Sequence, residues 1–419
     1  MIQRIKGTQD LLPGEVEKWQ YLEEKARDIL LRYGYAEIRT PIFEETELFA
    51  RSIGVDTDIV QKEMYTFLDK NEKSLTLRPE GTAPVVRACI ENHLAMGSGT
   101  LKLFYVGPMF RHERPQKGRY RQFHQIGGEV LGSDHPAVDA EVIEMLVRLL
   151  DELEIRSYQL HINSIGCPLC RPAYLKALRE RISEILPHLC ADCNRRAVTN
   201  PLRVFDCKVE ADQKYIKTLP AILDFLGEEC RQHFTSVRRY LDAQKLAYTV
   251  NSRLVRGLDY YQKTTFEIIS GALGAQNALL GGGRYDGLSE SLGGPPLQGF
   301  GFALGEERFI LALPEKDYSW ARPLVYLAPL GSGCFDFAVG LAAELRRKHI
   351  RALFEFDNRS LKAQLRQADK LKIPFVVIFG EDELRRDEVQ FKFMSTGTQV
   401  AVPARVEEIL KAIRGGESR

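Results

Sequence analysis

The chain has 419 residues, 44% apolar and 27% charged, with a formal net charge of +1. That length exceeds what one hydrophobic core usually supports, so two or more domains are expected. The composition argues against disorder, and the near-neutral charge excludes a polycation while leaving room for a locally basic face. No run approaches the roughly 20 apolar residues that cross a bilayer. The opening Met1 to Gly7 has no signal-peptide core, so a cytoplasmic protein with no membrane partner is expected.

Past Pro13, the residues Val16, Trp19, Leu22, Ala26, Ile29, Leu30 and Tyr33 recur at helical spacing and Gly34 supplies a stop, which predicts an amphipathic helix. Loose alternation from Tyr65 to Arg78 around Asp69-Lys70-Asn71-Glu72 predicts two strands and a turn. Leu101 to Phe110 and Phe123 to Leu131 make a second strand pair, separated by the charged segment Arg111 to Gln122. Two strands flanking a long polar connection indicate an antiparallel sheet with an active loop, not a doubly wound parallel sheet. After Pro136, a stripe of Val138, Val142, Met145, Leu146, Leu149 and Leu150 predicts another helix.

From about 170 to 240 the chain reads as mainly helical and polar, an insertion into the sheet domain. Strand-like sequence resumes at Thr264 to Ser270, followed by a glycine-rich turn at Gly281-Gly282-Gly283 and an apolar run ending near Leu313. The periodicity breaks in Pro314 to Pro323, where the first domain, 1–320, is expected to end. In 322–419, strands at Leu324 to Leu327, Ala352 to Phe354 and Phe375 to Ile378 alternate with helices at Phe337 to Arg347 and Leu361 to Leu371, the pattern of a small α/β domain. Its 17 Lys and Arg against 13 Asp and Glu fit a mildly basic face or ordinary solvated helices.

The most informative stretch is the polar loop and its strands. With Arg121 to Val130 as one strand, Arg121, Phe123, Gln125, Gly127 and Glu129 share a face: a guanidinium, a flat aromatic, an amide, a gap and a carboxylate. A polar row can be the solvated side of a sheet. Gly107 and Gly127 argue against that, because glycine weakens a strand unless something approaches the backbone closely. Arg111 to Tyr120 and on to Arg121 places five cationic side chains in eleven positions, suited to a polyphosphate or a nucleic-acid end, since each Arg offers a bidentate fork. A solvated loop has the same look.

Phe110-Arg111-His112-Glu113 with Arg121-Gln122-Phe123 resembles the second motif of class II aminoacyl-tRNA synthetases. The segment Gly299-Phe300-Gly301-Phe302-Ala303-Leu304-Gly305-Glu306-Glu307-Arg308 resembles their third, and Arg39-Thr40-Pro41 stands at the proline of their first. Leu254-Val255-Arg256-Gly257-Leu258-Asp259-Tyr260-Tyr261, Gly281-Gly282-Gly283-Arg284-Tyr285-Asp286-Gly287-Leu288 and Leu77-Arg78-Pro79-Glu80-Gly81-Thr82 are similar to signatures of the histidyl-tRNA synthetase family. The resemblance runs over nearly the whole chain.

It implies an α+β fold: an antiparallel-sheet catalytic domain with a mainly helical insertion, followed by a small C-terminal α/β anticodon-binding domain. It further implies L-histidine, ATP with Mg2+ and tRNA(His) as partners, no organic cofactor, and a homodimer. Arg111 and Arg256 are implied at the α-phosphate and the histidine carboxylate as the catalytic pair, with Glu113 on the ATP side. Phe123 and Arg308 would sandwich adenine, and Arg119 and Arg121 would orient the outer phosphates or the tRNA end. Glu80, Thr82 and Gln125 look like contacts for the α-ammonium, Glu129 and Tyr261 for the two imidazole nitrogens, with Tyr260 and Tyr285 in the same site. The alternative for Glu80 is a cap on a helix begun near Gly81. Arg114 and Gln116 are positional candidates for the acceptor end, and Arg359 and Lys362 for the anticodon.

Cys167-Pro168-Leu169-Cys170 and Cys190-Ala191-Asp192-Cys193 form two C-x-x-C pairs with 19 residues between them, a pattern able to build a tetrahedral zinc site. The family does not generally use such a site, and no metal ligand is assigned. Cys89, Cys207, Cys230 and Cys334 stand apart and read as reduced and mostly buried. Two other functions fit the fold: a silent paralogue that regulates histidine biosynthesis, which would lack the intact Arg256 signature, and a tRNA-sensing module without ligation.

Overall fold

The computed structural model describes every residue except 56, 96–98, 272–277, 319–323 and 418–419. Backbone contacts divide the chain into two compact units, Met1–Asp317 and Tyr318–Arg419. Residues 319–323 of the expected boundary segment lie outside the described residues.

In the first unit the strands are β1 (Ala36–Glu37), β2 (Phe43–Glu45), β3 (Tyr65–Leu68), β4 (Ser74–Leu77), β5 (Leu101–Phe110), β6 (Gln122–Leu131), β7 (Gln159–Ser164), β8 (Thr249–Val250), β9 (Gln262–Ile269), β10 (Ala278–Arg284) and β11 (Gly299–Gly305). Eight of them form one sheet in the order β1-β5-β6-β11-β10-β9-β7-β8, antiparallel except at its two short edges. β2, β4 and β3 make a small antiparallel sheet beside it. The β3–β4 turn closes because the Asp69 carboxylate accepts from the backbone N–H groups of Asn71 at 2.7 Å and Lys73 at 2.9 Å.

The helices follow their sequence signals. Val16–Arg32 buries Trp19, Leu22, Ala26, Ile29 and Leu30. Pro136–Glu152 starts with Pro136 at its first position, where a missing N–H costs nothing, and the His135 ring accepts from the Ala137 N–H at 3.2 Å. On one face of the sheet, Val85, Val86 and Cys89 of the helix Thr82–Glu91 pack with Leu103, Tyr105 and Met109 of β5.

The insertion is helical, with Arg171–Ile185, Ala191–Thr199, Glu210–Ile216 and Glu228–Ala243 around a core of Tyr174, Leu178, Ile182, Cys193 and Ile222. Two expectations change here. Cys207 lies with Cys190, Cys193 and Asp212, and Cys230 lies with Cys167 and Cys170, so the two C-x-x-C pairs belong to separate clusters and neither Cys207 nor Cys230 is isolated. Spacing along the chain had no means of showing this, because the third cysteine of each cluster arrives from a different helix or turn.

The glycine-rich turn is also corrected: Gly281, Gly282 and Gly283 run through the middle of β10, paired to β9 and β11. Glycine is the strongest turn signal in a sequence, but here it serves close packing. A Cβ at Gly281 would overlap the Arg256 guanidinium, and one at Gly282 would overlap the Gly301 carbonyl.

In the second unit β12 (Val325–Leu330), β13 (Ala352–Leu353), β14 (Phe375–Gly380), β15 (Glu388–Phe393) and β16 (Gln399–Pro403) form a sheet in the order β13-β12-β14-β15-β16. Alternation along β12 divides its side chains between two cores: Val325 and Leu327 face the helices Phe335–Arg347 and Val406–Glu417, while Tyr326 and Ala328 face Leu361–Lys370. The alternating pattern of the sequence extends only to β14. The antiparallel β15 and β16 complete the sheet.

Candidate active site

Residues of β5, β6, β11, β10 and β9 line a cavity of about 280 Å3. Arg111 stands just beyond β5, and its Nε donates to the Pro79 carbonyl at 2.8 Å. Arg256 approaches from the segment before β9, its Nη1 3.1 Å from Glu267 and its guanidinium 5.8 Å from the Tyr261 ring centre. Both arginines line this one cavity, although 145 positions separate them in the chain.

Eleven of the residues singled out from sequence share the wall: Arg111, Glu113, Arg119, Phe123, Arg308, Glu80, Thr82, Gln125, Arg256, Tyr260 and Tyr261. The polar face of β6 is therefore a site face, not a solvated side. The Arg111 guanidinium lies 5.3 Å from the Phe123 ring centre, and Arg308 Nη1 donates to the Ala278 carbonyl at 2.7 Å. Arg119 and Glu113 form an ion pair at 2.9 Å. Their loop turns back tightly, with mutual Gln116–Arg119 backbone bonds at 3.1 and 2.8 Å and Gly118 at a φ of 73°. Arg114 and Gln116 are exposed on this loop and do not line the cavity.

Glu80 has both characters that its position suggested. Its carboxylate accepts from the N–H groups of Thr82 at 2.6 Å and Ala83 at 2.9 Å, capping the helix Thr82–Glu91, and it still lines the cavity. Burial raises its pKa against these bonds, which favour the ionised form.

Three residues are placed differently from expectation. Arg121 is off the wall: its N–H donates to the Gly7 carbonyl at 2.6 Å and its stem packs where a Cβ of Gly7 would be. Glu129 is fully buried one layer behind the wall, because its oxygens accept from the Thr82 hydroxyl at 2.8 Å and the Tyr285 hydroxyl at 2.5 Å. Tyr285 is buried with it, its ring filling the space left by Gly299. Desolvation pushes Glu129 up to about 8, although both hydroxyl bonds pull the other way.

The sequence reading also missed residues that shape the site. Tyr105 lines the cavity, with its ring lodged where side chains at Gly81 and Gly127 would be. The Gly107 gap is taken by the Arg78 guanidinium, which donates to the Pro108 and Thr40 carbonyls at 2.9 and 3.0 Å. Close approach was legible from these glycines, but the partners are the chain's own side chains. Glu267, the partner of Arg256, is the one acid in the strand Gln262–Ile269, and that placement was its signal in the sequence. Behind the glycine strand, the fully buried Arg284 pairs with Asp139 and with Asp286 at 3.2 Å, and donates to the Ser133 carbonyl at 2.9 Å.

The Tyr105 hydroxyl and Gln125 Oε1 are buried at this wall without a hydrogen-bond partner among the described residues. A ligand that brings polar partners to them is favoured over an apolar one. The arrangement as a whole presents cations to an anion on one side and an amide, carboxylate and phenols to a small polar molecule on the other.

In the second unit, Arg359 is near acids, 3.5 Å from Asp357 and 3.8 Å from Glu355, and Lys362 is exposed at the start of its helix. No described helix is long and apolar enough to cross a membrane.

Comparison with known proteins gives a consistent picture. The family model for histidyl-tRNA synthetase matches residues 7–308, and the model for an anticodon binding domain matches 324–415. A histidine–tRNA ligase of Syntrophotalea carbinolica is 51% identical over 416 residues, covering 99% of each chain. One of Geobacter sulfurreducens is 50% identical over 413 residues, covering 99% of this chain and 100% of its own. The crystal structure of apo S. aureus histidyl-tRNA synthetase superposes with a TM-score of 0.83 at 37% identity, covering 99% of this chain and 100% of that one.

Proposed function

The chain belongs to the histidyl-tRNA synthetase family, and on that premise we propose that it activates L-histidine with ATP to histidyl-adenylate and transfers the histidyl group to the 3′ end of tRNA(His). The observation that carries this reading is the convergence of Arg111 and Arg256 on a single cavity that also contains Phe123, Gln125 and paired tyrosines.

Activation brings a carboxylate against the α-phosphate, and the two anions repel. Arg111 and Arg256 offset that repulsion and stabilise charge on the nonbridging oxygens while an oxygen–phosphorus bond forms to the substrate carboxylate and the bond to diphosphate breaks. Adenine lies between Phe123 and Arg308 once Arg111 has turned from the Phe123 ring to the phosphate. Glu80, Thr82 and Gln125 receive the α-ammonium.

Tyr261 and Glu129 read the imidazole, with Tyr260 beside it and Tyr285 holding Glu129 from behind through its hydroxyl bond at 2.5 Å. For Glu129 this requires the entering ring to take over the bond that the Thr82 hydroxyl makes at 2.8 Å. A ring without nitrogens would leave these buried groups unpaired, the basis of strong selectivity without editing. In the second step a terminal ribose hydroxyl attacks the adenylate and AMP leaves; no protein base is assigned, and a phosphate oxygen can take the proton.

Glu113 and Glu267 are cavity carboxylates already paired with Arg119 at 2.9 Å and Arg256 at 3.1 Å. They suit a magnesium ion that arrives with ATP better than a resident metal, and the ion supplies charge neutralisation at the outer phosphates. Arg119 serves the same phosphates, whereas Arg121 acts by holding the loop against Gly7. Arg114 and Gln116 meet the acceptor end of tRNA(His), and Arg359 and Lys362 its anticodon. The protein works as a cytoplasmic homodimer with domains 1–320 and 322–419.

The decisive experiment is histidine-dependent exchange of pyrophosphate into ATP followed by charging of tRNA(His). Exchange with histidine alone among the amino acids, followed by charging, is expected. Absence of both with folded protein would remove the proposal.

A further inference from the structure

The insertion carries a cluster that adenylation and tRNA charging leave unused. Cys190 and Cys193 lie at the start of the helix Ala191–Thr199, Cys207 just after the 3-10 turn Pro201–Asp206, and Asp212 in the helix Glu210–Ile216. One ligand atom from each falls within 4.8 Å of all the others. Cys193, Cys207 and Asp212 are buried.

We propose that Cys190, Cys193, Cys207 and Asp212 bind a structural zinc ion. Three sulfurs and one carboxylate oxygen suit a thiophilic divalent cation and are poor ligands for magnesium or calcium. Tetrahedral sites with zinc–sulfur bonds of about 2.3 Å place sulfurs roughly 3.7 Å apart, and Cys190 and Cys207 Sγ atoms are 3.9 Å apart. Cys207 Sγ is 3.3 Å from Asp212 Oδ2.

The surroundings are those of an anionic centre. The Val209 N–H donates to Cys207 Sγ at 3.4 Å and the Cys190 N–H to Asp212 Oδ2 at 3.0 Å, so backbone dipoles already orient the ligand atoms. A carboxylate buried among thiols is costly unless a cation balances it. The elements that carry or flank the four ligands are short, nine, six and seven residues, and small elements with little core of their own gain most from a metal staple.

The position gives the ion a purpose. Between Cys193 and Cys207, Asn200 donates to Asp259 at 3.1 Å and Arg203 pairs with Asp58 at 3.3 Å. Asp259 is three residues from Arg256, so the zinc clamps both ends of the helix and 3-10 segment to which the Arg256 stretch is hydrogen-bonded. The second cluster, Cys167, Cys170 and Cys230, offers three ligands among the described residues and serves as an internal comparison.

The test uses the full chain purified without chelator or added metal. Zinc per chain is measured by elemental analysis in the parent, Cys207→Ser, Asp212→Asn and Cys230→Ser. In parallel, maleimide alkylation of each cysteine in the parent is mapped by mass spectrometry before and after a strong chelator. Loss of one zinc equivalent in Cys207→Ser relative to the parent, with Cys230→Ser retaining that equivalent, is expected, as is chelator-dependent exposure of Cys190, Cys193 and Cys207. The alkylation arm needs no variant and stands even where a substitution impairs folding. Parent protein without zinc, equal zinc in parent and Cys207→Ser, a Cys190–Cys207 disulfide in place of the ion, or alkylation indifferent to chelator would each overturn the proposal.

Discussion

Replacing Arg256 with alanine tests the electrostatic core of the site. Its Nη1 lies 3.1 Å from Glu267 and its guanidinium rests on the bare backbone of Gly281. Alanine removes one of the two guanidinium groups proposed to meet the α-phosphate. It also leaves Glu267 unpaired in the cavity wall, adding negative charge where negative charge accumulates. Loss of one preorganised donor costs about 3 to 4 kcal/mol in the transition state, which is roughly a 100- to 1000-fold slower reaction. The stranded carboxylate moves the expectation to the slower end. Pyrophosphate exchange at saturating ATP and histidine should fall by that factor while the KM for histidine changes only a few-fold. The double variant Arg256→Ala/Glu267→Gln should recover part of the loss, because it removes the stranded charge without restoring the donor. An exchange rate equal to the parent's would refute the role given to Arg256.

Substitutions at three further positions probe the layers around this pair. Gly281→Ala puts a methyl where the Arg256 guanidinium lies; it should slow exchange strongly while the circular dichroism of the folded protein is kept, and a parental rate would show that the arginine does not need this seat. Glu129→Ala should raise the KM for histidine far more than that for ATP, measured by exchange over both substrates, and an unchanged histidine KM would count against the imidazole contact. Glu129 also has a pH signature: between the ordinary value of 4.5 and about 8 the native state holds a proton that the unfolded chain has released. Its contribution to stability is therefore complete at acid pH and is lost as pH rises toward 8, by at most about 1.4 kcal/mol per pH unit. Glu129→Gln should flatten that fall in thermal melts, and parallel slopes for parent and variant would contradict it. Arg284→Ala leaves the buried Asp139 carboxylate without its arginine, facing His233 at 3.7 Å, and should cost about 3 to 5 kcal/mol in denaturant unfolding; a loss under about 1 kcal/mol would mean the pair is better solvated than its burial indicates.

Local order was readable without coordinates wherever one signal dominated. The apolar stripe from Val16 to Tyr33, the Pro136 start, the Asp69 turn and the period-two face of Phe123 and Gln125 all rest on contacts within a few residues, and the structure has them. The short edge strands β1 and β8 were missed because two residues carry no periodicity. β10 was misread because three glycines look the same in a turn and in a crowded strand.

By itself, the sequence determined the division into an antiparallel sheet unit and an α/β unit, the helical insertion, and the motif residues that identify the family, since periodicity and motif chemistry are written in neighbouring positions. Only the tertiary structure decided which side chains reach the cavity: it put Glu129 and Tyr285 behind Thr82, moved Arg121 onto Gly7, seated Arg256 over Gly281, and sorted the cysteines of two matching pairs into separate clusters. Depth and convergence are properties of packing between distant segments, and spacing along a chain carries no measure of either.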